Sequence, residues 1–395
     1  MAQAIDRRSG LRLAPQCLGA RDMIAVFIIS VLLVAWTFAG YPGLAVALAR
    51  GRSEPAADGS CRDAVTVVIA ARNEAARIRH RIDNLLASDY PADRLRVLVV
   101  DDGSTDGTGR VVAGFGDERV RLLSLDEPVG KAAALNCAMA RVDTPLTVFA
   151  DSRQTFHALA IRRLVNAFTD PSVGLAAGRL ELGDGETTGL YWRIETALRR
   201  AESVLGWAHG ASGAIYAIRS SLFVPLPRDL LLDDVWTPLH VASTGYRLVF
   251  VDDAVASEPA VMGPRAEFRR KIRTLSGNWQ LLARAPWLLL PWRNRLFPAW
   301  FSHKFLRLLA PWALASAFIA SGFAVVSDGA TWLQALFWLQ SGAYAIAVTS
   351  LAAPAFARQV PLATAAGSFL LLNLAAMMSL PAWLGSRRPN RFWRG

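Results

Sequence analysis

Five aspartates in three places carry the chemistry that this sequence offers. Asp101-Asp102 stands at the end of an apolar, strand-length run, Leu95–Val100; Asp151 follows a second such run, Pro145–Ala150; and Asp233-Asp234 follows Leu230–Leu232. One acidic pair is usually a helix cap. Three acidic sites, each beside a strand or helix end, can converge at the carboxyl edge of an open α/β sheet, where such sheets bind ligands. A divalent cation and a phosphate-bearing ligand are the natural occupants of that edge. Lys131 adds a cation at a helix start, where backbone amides also favour an anion. Gly130-Lys131-Ala132 is not a P-loop, because the upstream glycine and the Ser/Thr that would hold magnesium are missing. On local sequence alone Lys131 reads equally well as a solvated helix-start lysine.

The elements that must position these residues alternate. Val65–Ala70 is a β-branched apolar run, the pattern of a strand buried on both faces of a parallel sheet. Asn73 is placed to cap a helix carrying Ile78, Ile82, Leu85 and Leu86 on one face. The Asp101–Gly107 turn then starts a helix near Arg110. Val120–Leu125 and Pro145–Ala150 read as strands, and Lys131–Arg141 and Ala158–Phe168 as helices. This is the pattern of a doubly wound parallel sheet. Thr187–Leu205 is helical, with an apolar and an arginine face. His209–Ile218 (HGASGAIYAI) begins small and flexible, suited either to close approach of a ligand or to a tight turn into a strand. A helix to about Ser243 and a strand at Arg247–Val251 follow.

Composition places part of the chain in a bilayer: of 395 residues 53% are hydrophobic and only 19% charged. Met23–Gly40 is uncharged, long enough to cross, and without a small-residue cleavage pattern, so it reads as an uncleaved anchor. Phe305–Val326, Thr331–Ser350 and Pro361–Leu384 are three more candidate spans. The net charge of +11 concentrates beside these apolar segments, the ordinary positive-inside signature, and no nucleic-acid module is present. Glu267 onward (EFRRKIRTLSGNWQLL) reads as an amphipathic surface helix, with Trp279, Trp287 and Trp292 in the headgroup zone. Cys17, Cys61 and Cys137 have neither disulfide-framework nor zinc spacing. One span before the α/β domain and three after it put both termini on the far side of the membrane. The arginines at 7, 8, 12 and 21 and at 387, 388, 391 and 394 pull the other way.

Over about residues 60–310 these motifs resemble family 2 inverting glycosyltransferases with a GT-A domain and flanking transmembrane helices, in the polysaccharide-synthase-like branch. Ala70-Ala71-Arg72-Asn73-Glu74 is similar to the first-strand nucleotide motif, and Asp101-Asp102-Gly103-Ser104 to the turn that contacts the nucleoside. Lys131 with Asn136 matches the Gly-Lys…Leu-Asn element. Asp151 matches the first acid of the Asp-x-Asp metal motif, Ser212-Gly213-Ala214 the loop near the acceptor, and Asp233-Asp234 the pair whose second acid is the general base. Tyr191-Trp192-Arg193-Ile194-Glu195 resembles a helix of that branch. The resemblance implies an α/β GT-A fold (Rossmann-like, mostly parallel sheet) plus α-helical transmembrane segments. It divides the chain into a tail, anchor and linker (1–62), a GT-A domain (63–265), interface helices (266–304) and C-terminal spans (305–395). It also implies a Mg²⁺ or Mn²⁺ cofactor on Asp151, a nucleotide-sugar donor, UDP-linked by preference, and a lipid-linked or saccharide acceptor. Arg270 and Arg273 would neutralise the diphosphate, and the enzyme would sit in the plasma (inner) membrane with its catalytic domain in the cytoplasm, in contact with membrane lipids.

Two departures bear on function. Arg153 stands where the metal motif has its second acid, and the acceptor-stacking Trp of processive synthases is missing from Arg270-Lys271-Ile272-Arg273-Thr274. The alternatives are a processive synthase that extrudes its polymer and a non-catalytic nucleotide-binding membrane scaffold, which would need no base at Asp234.

Overall fold

The computed structural model describes residues 19–52, 59, 61–183, 190–258, 264–353, 359–360 and 362–385. Cys17 and every terminal arginine except Arg21 lie outside these residues.

Eight strands form one mixed, mostly parallel sheet: β1 (Val65–Ala71), β2 (Leu95–Asp102), β3 (Val120–Leu125), β4 (Leu146–Ala150), β5 (Thr155–Phe156), β6 (Val173–Leu182), β7 (Ile215–Arg219) and β8 (Arg247–Glu258). Their spatial order is β3-β2-β1-β4-β7-β6-β8-β5. Pairing is parallel except where β7 meets β4 and β6 and where β5 meets β8. The central strands are continuous apolar runs because helices cover both faces. Val65, Val67 and Ile69 pack against Ile78, Ile82 and Leu85 of α3 (Ala75–Leu86) and Ile161 and Leu164 of α6 (Ala160–Asn166). Val68 and Val100 pack on the other face, against Ala134 and Leu135 of α5 (Lys131–Met139) and Val241 of α8 (Asp233–Ser243). The register opposes Ala71 to Asp101 and Ala150 to Ile215. The carboxyl ends of β1, β2 and β4 and the amino end of β7 therefore share one edge.

Two local expectations are corrected. Asp101 and Asp102 are the last residues of β2 rather than the turn beyond it. Asn73 does not cap α3: it sits at φ 54°, a left-handed conformation that asparagine tolerates, and its Oδ1 accepts the Thr105 amide at 2.9 Å. Asp106 Oδ2 and Thr108 Oγ1 instead accept the Ala75 and Glu74 amides, each at 2.9 Å. The turn after β2, including the short α4 (Thr108–Ala113), thus caps the helix after β1.

Among the described residues four helices are long and apolar enough to cross a bilayer: Arg21–Ala49, Phe297–Val326, Thr331–Ala352 and Ala363–Gly385. The first consists of α1 (Ala20–Ala35), a π-helical turn at Trp36–Gly40, and α2 (Tyr41–Ala49). The second likewise consists of α10 (Phe297–Trp300), a π turn at Phe301–Phe305, and α11 (Leu306–Val326). Phe27 of α1 seats against Ala317, Ala320 and Ala324 of α11, small residues that let membrane helices approach closely. α7 (Leu190–Val204) packs Leu198 and Ala201 against Tyr41 and Ala45 of α2.

α9 (Pro264–Arg284) is more than a surface helix. Gln280 Nε2 donates to the Asp229 carbonyl at 2.8 Å and its Oε1 accepts the Leu231 amide at 3.0 Å. On the membrane side Ser276 Oγ donates to the Ser379 carbonyl at 2.9 Å, and Trp279 Nε1 donates to Ser379 Oγ at 3.0 Å, both on the last span, α13 (Ala363–Gly385; α12 is Thr331–Ala352). Trp279 is therefore tied to a neighbouring helix and not free in the headgroup zone. On the other side Gly277 lets α9 close on the segment ahead of α8, because a Cβ there would meet Leu232 Cγ at 2.6 Å. Gly277→Ala is expected to destabilise the purified protein by about 1–3 kcal/mol through overpacking, read as a lower Tm in detergent. Gly342→Ala, whose Cβ meets nothing within 4 Å, is expected to leave Tm unchanged.

Candidate active site

Lys131 is where the aspartates of separate elements meet. Its Nζ lies 3.0 Å from Asp151 Oδ1 and 3.5 Å from Asp233 Oδ2. Burial disfavours its charge, but Asp151 and Asp233 more than compensate and hold its pKa above the ordinary lysine value. The solvated helix-start reading is thereby displaced. Asp233 Oδ2 is buried and accepts no hydrogen bond, so the lysine charge is what stabilises it. Asp151, immediately after β4, is 38% exposed, leaving carboxylate oxygen open to a ligand.

The other half of the edge carries the residues after β1 and at the end of β2. Arg72 is half-buried, Asn73 exposed and Glu74 buried. Glu74 pairs with Arg77 at 3.0 Å and with Arg153 at 3.3 Å. The arginine that replaces the second acid of the metal motif is thus paired away from Asp151. Asp101 accepts the Ser104 amide at 3.2 Å. Asp102 is wholly buried: its Oδ1 accepts the Val129 amide at 2.6 Å and its Oδ2 the Gly130 amide at 3.0 Å. Asp102 therefore fixes the start of α5 and with it Lys131.

Asp234, in the first turn of α8, lies under the loop that precedes β7. Ala211 N donates to the Asp234 carbonyl at 2.9 Å and Gly213 N to its Oδ2 at 3.2 Å. Ser212-Gly213-Ala214 thereby wraps the acid. A Cβ on Gly213 would meet Asp234 Oδ2 at 3.2 Å, so the glycine eases this approach. Burial, then the adjacent Asp233, pushes the Asp234 carboxyl up to about 6, against Lys131, Lys304 and the Gly213 amide, which lower it. A carboxyl shifted toward neutrality beside an open edge is the state suited to general-base work.

Not every expected residue joins this group. Asn136 spends both ends of its amide on the Leu226 backbone, donating at 2.8 Å and accepting at 2.8 Å, so its place is structural. Arg270 and Arg273 lie half-buried on α9, the helix that packs on Leu231 and Leu232 just ahead of the acidic pair. Sequence reasoning missed Arg81, buried with its guanidinium 4.0 Å over the Phe156 ring and Nε donating to the Asp151 carbonyl at 3.1 Å. Burial, opposed by Asp151, lowers its pKa to about 9. It also missed a buried cluster of Glu195, Glu202, His209 and His303, whose members come from separate elements and share no local pattern.

The family model of glycosyl transferase family 2 matches residues 66–224. Glycosyltransferase AglE of Haloferax volcanii is 28% identical over 211 residues, covering 50% of this chain and 67% of that protein. An N-acetylglucosaminyltransferase of Rhizobium sp. strain N33 is 30% identical over 224 residues, covering 51% of this chain and 50% of that protein. The chain thus spans about half to two thirds of the length of these curated relatives. A solved mannosyltransferase of Pyrobaculum calidifontis, in complex with GDP-mannose and Mn²⁺, superposes with a TM-score of 0.71 at 26% identity, covering 92% of this chain and 100% of that one. The motifs, the sheet and these similarities agree that residues 66–224 form a glycosyl transferase family 2 domain with the GT-A fold.

Proposed function

We propose that the protein transfers a sugar, with inversion, from a nucleoside-diphosphate donor to a hydroxyl of a lipid-linked or saccharide acceptor presented at the membrane surface, with Asp234 as general base. The observation that carries this reading is the half-buried Asp234 carboxyl, pushed up to about 6 and clasped by the Ala211–Gly213 loop at the edge that also holds Lys131 and Asp151. Asp234 takes the acceptor hydroxyl proton as that oxygen bonds to the anomeric carbon. The bond from that carbon to the diphosphate oxygen breaks on the opposite face, and the diphosphate leaves with the electron pair. A binding scaffold would have no use for a base so placed.

The remaining roles follow from position. Ala71, Arg72, Asn73, Glu74 and Asp101 frame the nucleoside, Asp102 acts by fixing the start of α5, and Lys131 with Arg270 and Arg273 draws the diphosphate. Asp233 keeps Lys131 charged and in place. The donor set fits a hard divalent cation: Asp151 offers a carboxylate that is 38% exposed, with Asp233 across Lys131 from it, and magnesium beside nucleotides is commonly held by one or two carboxylates and completed by phosphate and water. Such an ion stabilises charge on the departing diphosphate. The similar mannosyltransferase holds GDP-mannose, so the donor base is an open choice between uridine and guanosine for a panel of UDP- and GDP-sugars. Nucleotide sugars are cytoplasmic, which places the 63–265 domain in the cytoplasm beside the plasma membrane.

Asp234→Asn is expected to lose about 10²–10⁴-fold in kcat while donor binding, measured by titration, persists; unchanged turnover would remove Asp234 from the chemistry. Because only the ionised carboxylate accepts a proton, activity should rise with pH through about 6 and fall below it. EDTA is expected to abolish transfer, Mg²⁺ or Mn²⁺ to restore it, and Asp151→Ala to lose it. Full turnover in EDTA would assign charge neutralisation to Lys131 and Arg153.

A further inference from the structure

Both helices that lead into the membrane leave α geometry at the same level. Their π turns, Trp36–Gly40 and Phe301–Phe305, touch: Trp36 Nε1 donates to Ser302 Oγ at 3.1 Å. π turns are rare, rotate the side chains that follow, and concentrate at functional sites. Here they deliver Tyr41 and His303 to one carboxylate of α7. The Tyr41 hydroxyl donates to Glu202 Oε1 at 2.7 Å, and His303 Nδ1 lies 2.8 Å from the same oxygen. His303 Nε2 lies 3.3 Å from Glu195 Oε1, and Glu195 is also held by Arg307 at 3.0 Å and Arg199 at 3.3 Å. His303 thus stands with a carboxylate oxygen near each ring nitrogen, its buried Nε2 making no hydrogen bond. Burial disfavours ionised Glu195 and Glu202, yet His303 and its cationic neighbours hold both carboxyls below the ordinary range.

This network reaches the base through few bonds. The Glu202 carbonyl accepts the Trp207 amide at 2.6 Å and the Ala208 amide at 3.1 Å, and His209 stands edge-on to His303 at 5.1 Å between ring centroids. The same loop continues to Ala211 and Gly213, which hold Asp234. Lys304, beside His303, lines with Glu202, His209 and Ala211 a cavity of about 30 Å³, room for one water. The groups that face Asp234 are Asp233 on its own helix, Lys131 of α5, Lys304 of the second span, the Gly213 amide and the Tyr216 phenol of β7.

We propose that Tyr41, Glu202 and His303 are positioning residues: the two membrane segments, meeting at their π turns, hold the 207–213 loop and Lys304 at the distance from Asp234 on which turnover depends. The first span is then a working part of the active site rather than an anchor. Glu202, His209 and His303 also bring three ligand atoms within 4.8 Å of one another. The neighbouring Arg199, Lys304 and Arg307 already balance the two carboxylates and oppose a dication there.

The inference rests on Asp234 as base, and the test separates the two. Full-length protein in detergent with lipid is assayed for kcat, donor KM, pH profile and Tm as wild type, Tyr41→Phe, Glu202→Gln, His303→Gln and Asp234→Asn. Glu202→Gln and His303→Gln are expected to lower kcat by about tenfold or more, the scale of a sub-ångström misplacement, with donor KM within about twofold. The acid limb should move up by roughly half a unit, because the Gly213 amide and Lys304, which lower the Asp234 carboxyl, would sit farther away. Tyr41→Phe removes one hydroxyl with little change in packing and should shift kcat and the limb the same way by less, which keeps the test usable if the other variants fail to fold. Wild-type kcat and limb in folded variants, or a kcat loss that only tracks Tm with the limb fixed, would overturn the proposal. So would stoichiometric metal in the wild type that His303→Gln removes. Turnover retained by Asp234→Asn would instead sink the base assignment itself.

Discussion

The ion pairs of one lysine hold this site together. Asp151 comes from the end of β4 and Asp233 from the start of α8, and neither would tolerate the other's charge at a half-buried edge without a cation between them. Lys131 Nζ, at 3.0 and 3.5 Å from the two, supplies it. A lysine can do this only if its backbone is fixed, because its long side chain otherwise gives up about 2 kcal/mol of rotamer freedom. That fixing falls to Asp102, which receives the Val129 and Gly130 amides at the start of α5. The second acid of the β2 pair thus acts on the site from beneath it.

Two further constraints bring Asp234 to the same edge. From one side α9 fits Gly277 against Leu232 and binds the backbone on either side of Leu230 through Gln280, so the residues feeding α8 cannot drift. From the other, the loop before β7 lays two amides on the residue. The same α9 is hydrogen-bonded to Ser379 in the last span. The acidic pair is therefore referenced to the membrane helices as directly as to the sheet.

What was legible in the sequence was what local periodicity encodes. β1, β2 and β4 are apolar runs whose ends fall within two residues of the expected ones, and the acids after them could be ranked by that placement. β6, reading GLAAGRLEL after Val173, is too rich in glycine and alanine to announce a strand; its partners β7 and β8 define it. The capping of α3 by Asp106 and Thr108 joins residues some thirty positions apart, beyond any local signal, and Asn73 looked like the cap because its type is right. Asn136 matched a motif by type and spacing, yet its amide is committed to Leu226. The Glu202–His303 pair spans 101 positions, and neither residue stands in a recognisable pattern.

The elevated Asp234 carboxyl also has a thermodynamic consequence for the fold. An acid whose pKa rises from 3.8 to about 6 on folding binds its proton more tightly in the native state than in the unfolded one. Between these values the native state holds more protons, so stability falls as pH rises across that window and stays lower above it. The loop, α9 and the contacts among Leu232, Val235, Leu281 and Trp300 must offset this penalty at every pH where the base is active. Asp234 is the acid of the 233/234 pair that Lys131 does not contact directly, so the Gly213 amide and the packing around Leu232 and Val235 hold it in place. A base kept near neutrality needs a rigid frame, and in this chain the frame is shared with the bilayer-spanning helices.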